Sequence, residues 1–276
     1  MNVYVYSYSG HQYELNRLRR CACICKSLAE FEPLLCTSDF RAGAYAKDNL
    51  GLTKYVNIDV IQNLATMMEK NDILIYDSDE ADKELEDEIK EFASLCLKVG
   101  VDIPYVLIDT SIFNEKQKNK DDKKSDETAL FFGDSNNENI LEKLCKKKYD
   151  IPLLMGHYFY LGSEKDFSKF FDKIIDEEEY IDTIKNTKFL LTTNENAVLE
   201  SLNCGNCPVL FLRPDVDYKL LSIIKEANIP IIVQKELEDV INKFKIIIIN
   251  YPKIKKLNQF DFAKIKEKIR IQKKLF

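Results

Sequence analysis

Short apolar runs alternate with longer stretches of helical spacing from one end of this chain to the other. Val3 to Tyr6 predicts a first strand, Glu14 to Glu30 a helix, and Pro33 to Cys36 a second strand. Asp72 to Asp77 is the clearest strand of the first half. Apolar residues at helical spacing over Lys83 to Lys98 predict a helix, and Tyr105 to Asp109 another strand. From Asn114 to Thr128 no apolar residue occurs, so burial cannot offset the entropy of ordering that stretch. It is read as a linker or mobile loop between a domain at 1–113 and a second at 129–276.

The second half repeats the alternation. Ala129 to Phe132 predicts a strand, about Glu138 to Lys147 a helix, and Ile151 to Met155 a strand that Pro152 limits to an edge or a strand start. Asp172 to Asn186 is amphipathic, Phe189 to Leu191 a strand, and the stretch after it a helix stopped at Gly205 before a strand at Val209 to Leu212. A helix at about Asp217 to Ala227 and a strand at Ile229 to Val233 follow, while Ile246 to Ile249 fits either type. Phe262, Ile265, Ile269 and Ile271, set among lysines, predict a basic terminal helix. Its expected role is packing across the two domains with its lysines solvated, the alternative being a membrane surface. Strands alternating with helices predict an α/β protein whose sheets are mainly parallel and covered on both faces.

Composition narrows the function classes. A chain of 276 residues is long enough for two cores, and a net charge of -6 argues against broad nucleic-acid binding. No apolar run approaches the roughly 20 residues of a spanning helix, so no integral membrane segment is expected. The alternating start lacks the pattern of a signal peptide, which leaves the cytoplasm as the expected compartment. Of eight cysteines, Cys21, Cys23 and Cys25 share one helical stretch and read as buried free thiols. Cys204 and Cys207 have the spacing of a redox pair or half a zinc site. With no second pair and both histidines distant, no metal is expected.

Candidate chemistry concentrates where apolar runs give way to polar residues. Lys188 to Leu212 reads as strand, polar turn, helix, glycine stop and second strand, with Thr192, Thr193, Asn194 and Glu195 at the first corner. Parallel sheets bind ligands at such strand ends, and helix N-termini attract anions. Asp77-Ser78-Asp79 and Gly133-Asp134-Ser135-Asn136-Asn137 follow strands in the same way. These residues also suit ordinary helix caps. Arg17, Arg19 and Arg20 suit a diphosphate or carboxylate by paired hydrogen bonds, or else salt bridges on a helix. His157 stands among aromatics that suit either base stacking or a core.

The two α/β halves, the polar stretch between them, and the Thr/Asn/Glu corner followed by Gly205-x-x-Pro208 together resemble the GT-B glycosyltransferase architecture. Within it the chain is most similar to UDP-sugar hydrolases that release a diacetamido-trideoxy sugar on the pseudaminic acid pathway. The resemblance implies two Rossmann-like domains, the first catalytic and the second binding a nucleotide-activated sugar, UDP in first place, in an interdomain cleft. It implies no cofactor, and a glycosyltransferase or nucleotide-sugar hydrolase of surface or flagellar glycan biosynthesis. The family's Gly-x-Gly-His-x-x-Arg turn aligns with Glu14 to Arg20: Arg20 matches the arginine, Arg17 replaces the histidine, and both glycines are missing. His11, beside Gly10, then supplies the imidazole if the turn is redrawn. Asp77 matches the family's acid, Gly133 its phosphate-approaching glycine, and Glu200, within one residue, its ribose-holding glutamate. Thr192, Thr193 and Asn194 would face the diphosphate, with Glu195 a second candidate for the ribose. The departures from the motif support an alternative: a catalytically degenerate binding or assembly protein with a protein partner.

Overall fold

The computed structural model describes residues 1–11, 13–115, 127–160 and 162–275, so most of the expected linker at 114–128 lies outside the described residues. The chain forms two compact units, one of Met1–Asp109 with Gln259–Phe276, the other of Thr110–Asn258. No described helix is long and apolar enough to cross a membrane.

In the first unit the chain runs through β1 (Val3–Ser7), α1 (Asn16–Ser27), β2 (Leu34–Thr37), α2 (Phe40–Asp48), β3 (Tyr55–Asn57), β4 (Ile73–Asp77), α3 (Lys83–Phe92) and β5 (Leu95–Lys98). The sheet is parallel in the order β3-β2-β1-β4-β5, so the winding reverses between β1 and β4. Both central strands are buried along their whole length, which is why they read as unbroken apolar runs. Their tyrosines stay in this core because the hydroxyls reach acids: Tyr6 Oη donates to Glu80 at 2.7 Å and Tyr76 Oη to Glu86 at 3.3 Å. Asp39 caps α2 by accepting from Ala42 N–H at 3.0 Å, and Asp82 caps α3 by accepting from Leu85 N–H at 3.0 Å.

Two expectations fail in this unit. The helix expected through Lys98 stops at Phe92. Ser94 N–H there donates to the Asp72 carbonyl at 2.9 Å and leads the chain into β5 beside β4. Tyr105 to Asp109 is not a strand: Gly100, at φ +90°, turns the chain after β5, and Leu107 N–H then donates locally to Tyr105 at 2.9 Å rather than to a neighbouring strand.

The terminal helix α10 spans Ala263–Leu275 and belongs to the first unit rather than to the half that precedes it in sequence. Phe262, Ile265 and Ile269 are buried. Lys266 and Arg270 pair with Glu30 at 3.2 and 2.6 Å, and Arg270 and Lys273 lie over the Phe31 ring.

The second unit comprises β6 (Thr128–Phe131), α4 (Ile140–Leu144), β7 (Leu153–Leu154), α5 (Ser163–Phe167), β8 (Ile174–Ile175), α6 (Tyr180–Asn186), β9 (Phe189–Thr192), α7 (Glu195–Asn203), β10 (Val209–Phe211), α8 (Leu221–Glu226), β11 (Ile231–Ile232) and α9 (Leu237–Ile249). Its parallel order, β11-β10-β9-β6-β7-β8, repeats that of the first sheet with one strand more and reverses between β6 and β9. Both are the strand orders of Rossmann sheets. Pro152 precedes β7, and its carbonyl accepts from Leu130 N–H at 2.8 Å; the strand starts there and lies between β6 and β8, not at an edge. The amphipathic stretch 172–186 holds β8 before α6, the helix at 138–147 shrinks to α4, and Ile246 to Ile249 closes α9. All eight cysteines are free, and burial pushes the Cys36 and Cys145 thiols up to about 12, so they stay protonated at neutral pH.

One glycine fixes how two strand ends of this sheet approach. A Cβ on Gly156, just after β7, would lie 2.3 Å from the Gly133 carbonyl oxygen and 2.6 Å from the Asp134 carbonyl, both backbone atoms that cannot swing away. Gly156→Ala is expected to destabilise the protein by about 1–3 kcal/mol, as overpacking does, in urea unfolding. A midpoint equal to that of the unaltered chain would contradict this packing.

Candidate functional site

In a doubly wound sheet the carboxyl ends of the strands flanking the reversal open onto a crevice where ligands bind. In the second unit those strands are β6 and β9. After β6 the chain turns through Gly133 at φ +111°, a conformation that favours glycine, and Asp134, Ser135 and Asn136 are buried behind it. The Asp134 carbonyl accepts from Tyr158 N–H at 2.8 Å. Asn136 turns back to the next helix, its Oδ1 accepting from Leu141 N–H at 2.9 Å.

The corner after β9 carries Thr192 to Glu195. Thr193 Oγ1 donates to the Phe132 carbonyl at 2.6 Å, and Thr192 Oγ1 accepts from Asn194 N–H at 3.0 Å. Asn194 caps α7, its Oδ1 accepting from Ala197 N–H at 2.9 Å. The Glu195 carboxylate accepts from Lys219 and Leu220 N–H at 2.8 and 2.7 Å and so anchors the start of α8. Glu200 is buried inside α7, where its Oε2 accepts from Tyr180 Oη at 2.6 Å. The structure therefore brings Gly133, Thr192, Thr193 and Asn194 to one edge of the sheet, while Glu195 and Glu200 also hold neighbouring helices.

Sequence reasoning missed Arg213. This buried side chain follows β10, and its Nη1 donates to the same Phe132 carbonyl at 3.3 Å. Its Nε donates to Asp215 at 3.1 Å, and its Cζ lies 4.4 Å from the Phe132 ring centroid. The available signal was its place directly after an apolar run, the same kind of position as Asp77 and Thr192. His157, after β7, packs edge-on against Tyr158 with centroids 5.0 Å apart, and its Nδ1 lies 3.4 Å from Glu177 Oε1.

In the first unit the reversal lies between β1 and β4. Asp77, the last residue of β4, is buried and accepts from Arg20 Nε at 2.7 Å. Burial opposes the Arg20 charge, but attraction to Asp77 outweighs it, so the guanidinium pKa rises above its ordinary value. Arg17 Nε is 4.0 Å from Asp77 and its Nη2 is 2.9 Å from Asp79, while its Cζ lies 4.7 Å from the Tyr13 centroid and 5.6 Å from that of Tyr8. Arg17 and Arg20, read from sequence as anion ligands, are thus gathered around acids of the chain itself, whereas Arg19 lies over the Tyr45 ring. His11 sits, partly buried, in the turn between β1 and α1. Glu14, in the same turn, has φ +56°, a left-handed conformation that favours glycine. No side chain caps α1, and its first turn carries no acid.

No family model and no curated protein matches this sequence. Solved structures do. A UDP-GlcNAc 2-epimerase of Methanocaldococcus jannaschii, in complex with UDP-GlcNAc and UDP, matches with TM-score 0.59 at 13% identity, covering 99% of this chain and 100% of that one. The glycotransferase of kitacinnamycin matches with TM-score 0.50 at 9% identity, covering 98% and 95%. Likenesses at such identities bear on the fold: two Rossmann-like α/β units with parallel sheets, of the GT-B type.

Proposed function

We propose that this chain binds a nucleotide-activated sugar, with the second unit holding the nucleotide diphosphate where β6 and β9 end. The observation that supports it is the convergence of the Gly133 turn, Thr193 and the Asn194-capped start of α7 on that edge. A glycine turn lets phosphate oxygens approach the backbone, and the start of α7 adds N–H groups and a favourable dipole. Arg213, ion-paired with Asp215, lies at the same edge. Glu200 is assigned to the ribose, since a carboxylate accepts from two hydroxyls at once, with Glu195 as its substitute. UDP is the favoured nucleotide, in keeping with the epimerase of like fold that was solved with UDP-GlcNAc and UDP.

As an enzyme the chain would transfer the sugar to an acceptor or to water. Within the first unit, His11 is the candidate proton-exchanging group, Asp77 the carboxylate that orients a nucleophile, and Arg17 and Arg20 the groups that stabilise developing negative charge.

A second reading, a binding or assembly protein without catalysis, is favoured by a specific observation: Arg20 and Asp77 are paired with each other in a buried position, and Arg17 with Asp79. The two pairs differ in what they cost to break. Asp79 is 67% exposed, and such a pair contributes little to stability. Loss of a buried partner leaves an uncompensated charge.

Screened by thermal shift against UDP, CMP and GDP sugars, the protein is expected to be stabilised by at least one, by about 2.7 kcal/mol at a hundred times its dissociation constant. Asn194→Ala and Glu200→Gln should shrink that shift. Flat curves across the panel would overturn the binding reading, and a shift without release of free nucleotide or sugar over time would exclude hydrolysis of the sugars that bind. In the first unit, Asp77→Ala is expected to destabilise by about 3–5 kcal/mol and Asp79→Asn by less than about 1 kcal/mol in urea unfolding. Equal losses would refute the assignment of the buried pair as the dominant one.

A further inference from the structure

Helix α10 has two unlike faces. Its inner face, with Ile265 and Ile269, is buried in the first unit, and Lys266 and Arg270 are drawn to Glu30. On the other side Lys264, Lys268, Ile271 and Leu275 follow one another at spacings of three and four, which align them along one stripe. Ile271 is 50% exposed and Leu275 67%, although the inner face already fills the core side of the helix. Lys264, Lys268 and Lys274 carry no ion pair among the described residues. Glu267 is the acid on this side.

Charge is as uneven as burial. From Lys253 to the end the chain carries nine Lys and Arg against two acids, within a protein of net charge -6. A cationic face that also exposes aliphatic side chains suits a surface both anionic and able to take up hydrocarbon.

We propose that α10 docks this protein on an anionic lipid surface, with Ile271 and Leu275 entering the headgroup region and Lys264, Lys268 and Lys274 lying against lipid phosphates. Interfacial helices bind through this combination of apolar area and attraction to anionic lipid. Nucleic acid, the other polyanion, fits less well, because its phosphates make no use of the exposed aliphatic pair Ile271 and Leu275. The inference does not rest on the nucleotide-sugar reading, and its test needs no nucleotide.

The test is sedimentation of the full chain with phosphatidylcholine vesicles, with and without about one-quarter phosphatidylglycerol, at low and high salt. Binding is expected only to the anionic vesicles and should weaken with salt. Lys264→Gln, Lys268→Gln and Lys274→Gln together should weaken it on the order of 100-fold. Ile271→Ser with Leu275→Ser should weaken it by about tenfold or more. All five side chains are exposed, so the melting temperature should hold in both variants. No binding to anionic vesicles would overturn the proposal, as would full binding by the Ile271/Leu275 variant. Equal, lysine-dependent binding of duplex DNA at the same salt would assign the face to nucleic acid instead.

Discussion

The carbonyl oxygen of Phe132 ties together the ends of three strands. It lies just beyond β6, accepts from Thr193 after β9, and accepts again from Arg213 after β10. A buried carbonyl must find partners, and one that takes two donors fixes the corners that carry them. Most of the second unit's edge depends on this arrangement. With Thr193 held, Asn194 is placed to cap α7, and with Arg213 held, Asp215 and Tyr218 order the loop that leads to α8. Gly156 completes the frame from the other side, since only a residue without a side chain fits against the Gly133 and Asp134 carbonyls.

The first unit solves the same geometric problem with charge. Its reversal point is filled by the Arg20–Asp77 pair, with Arg17 lying against the adjoining Tyr8 and Tyr13 rings and reaching outward to Asp79. Low local dielectric strengthens such a pair and also makes each partner dependent on the other. The two units share one strand order but differ in the chemistry at its focus: hydroxyl, amide and carbonyl groups joined by Arg213 in one, the Arg20–Asp77 pair in the other.

What the sequence reveals follows from where burial is two-sided. β1, β4, β6 and β9 stood out because a central parallel strand is apolar on both faces. β5 and β8 were absorbed into neighbouring helices, since Leu95–Lys98 and Ile174–Ile175 are too short for their period to prevail over the amphipathic pattern around them. α2 and β3 are missing from the sequence reading: α2 carries a local start signal in its cap Asp39, but β3 has only three residues and its Tyr55 ring would lie 2.4 Å from a Cβ on Gly43 of α2. Among site residues, the Thr192 to Glu195 corner was legible because helix caps have local chemistry. Arg213 was not, because the carbonyl that gives it meaning lies 81 residues away, and the partner of Arg20 is 57 residues distant.

The return of residues 259–276 to the first unit also orders events during synthesis. The second unit is one contiguous segment and has all its parts before residue 259 is made. The first has its sheet early but must wait for residues 259–276 to cover the surface that Phe262, Ile265 and Ile269 occupy. Domains generally fold from the N-terminus forward as they emerge from the ribosome. Of the two units, the one whose sheet emerges first is completed second, and until then its apolar strip for Phe262, Ile265 and Ile269 stays uncovered.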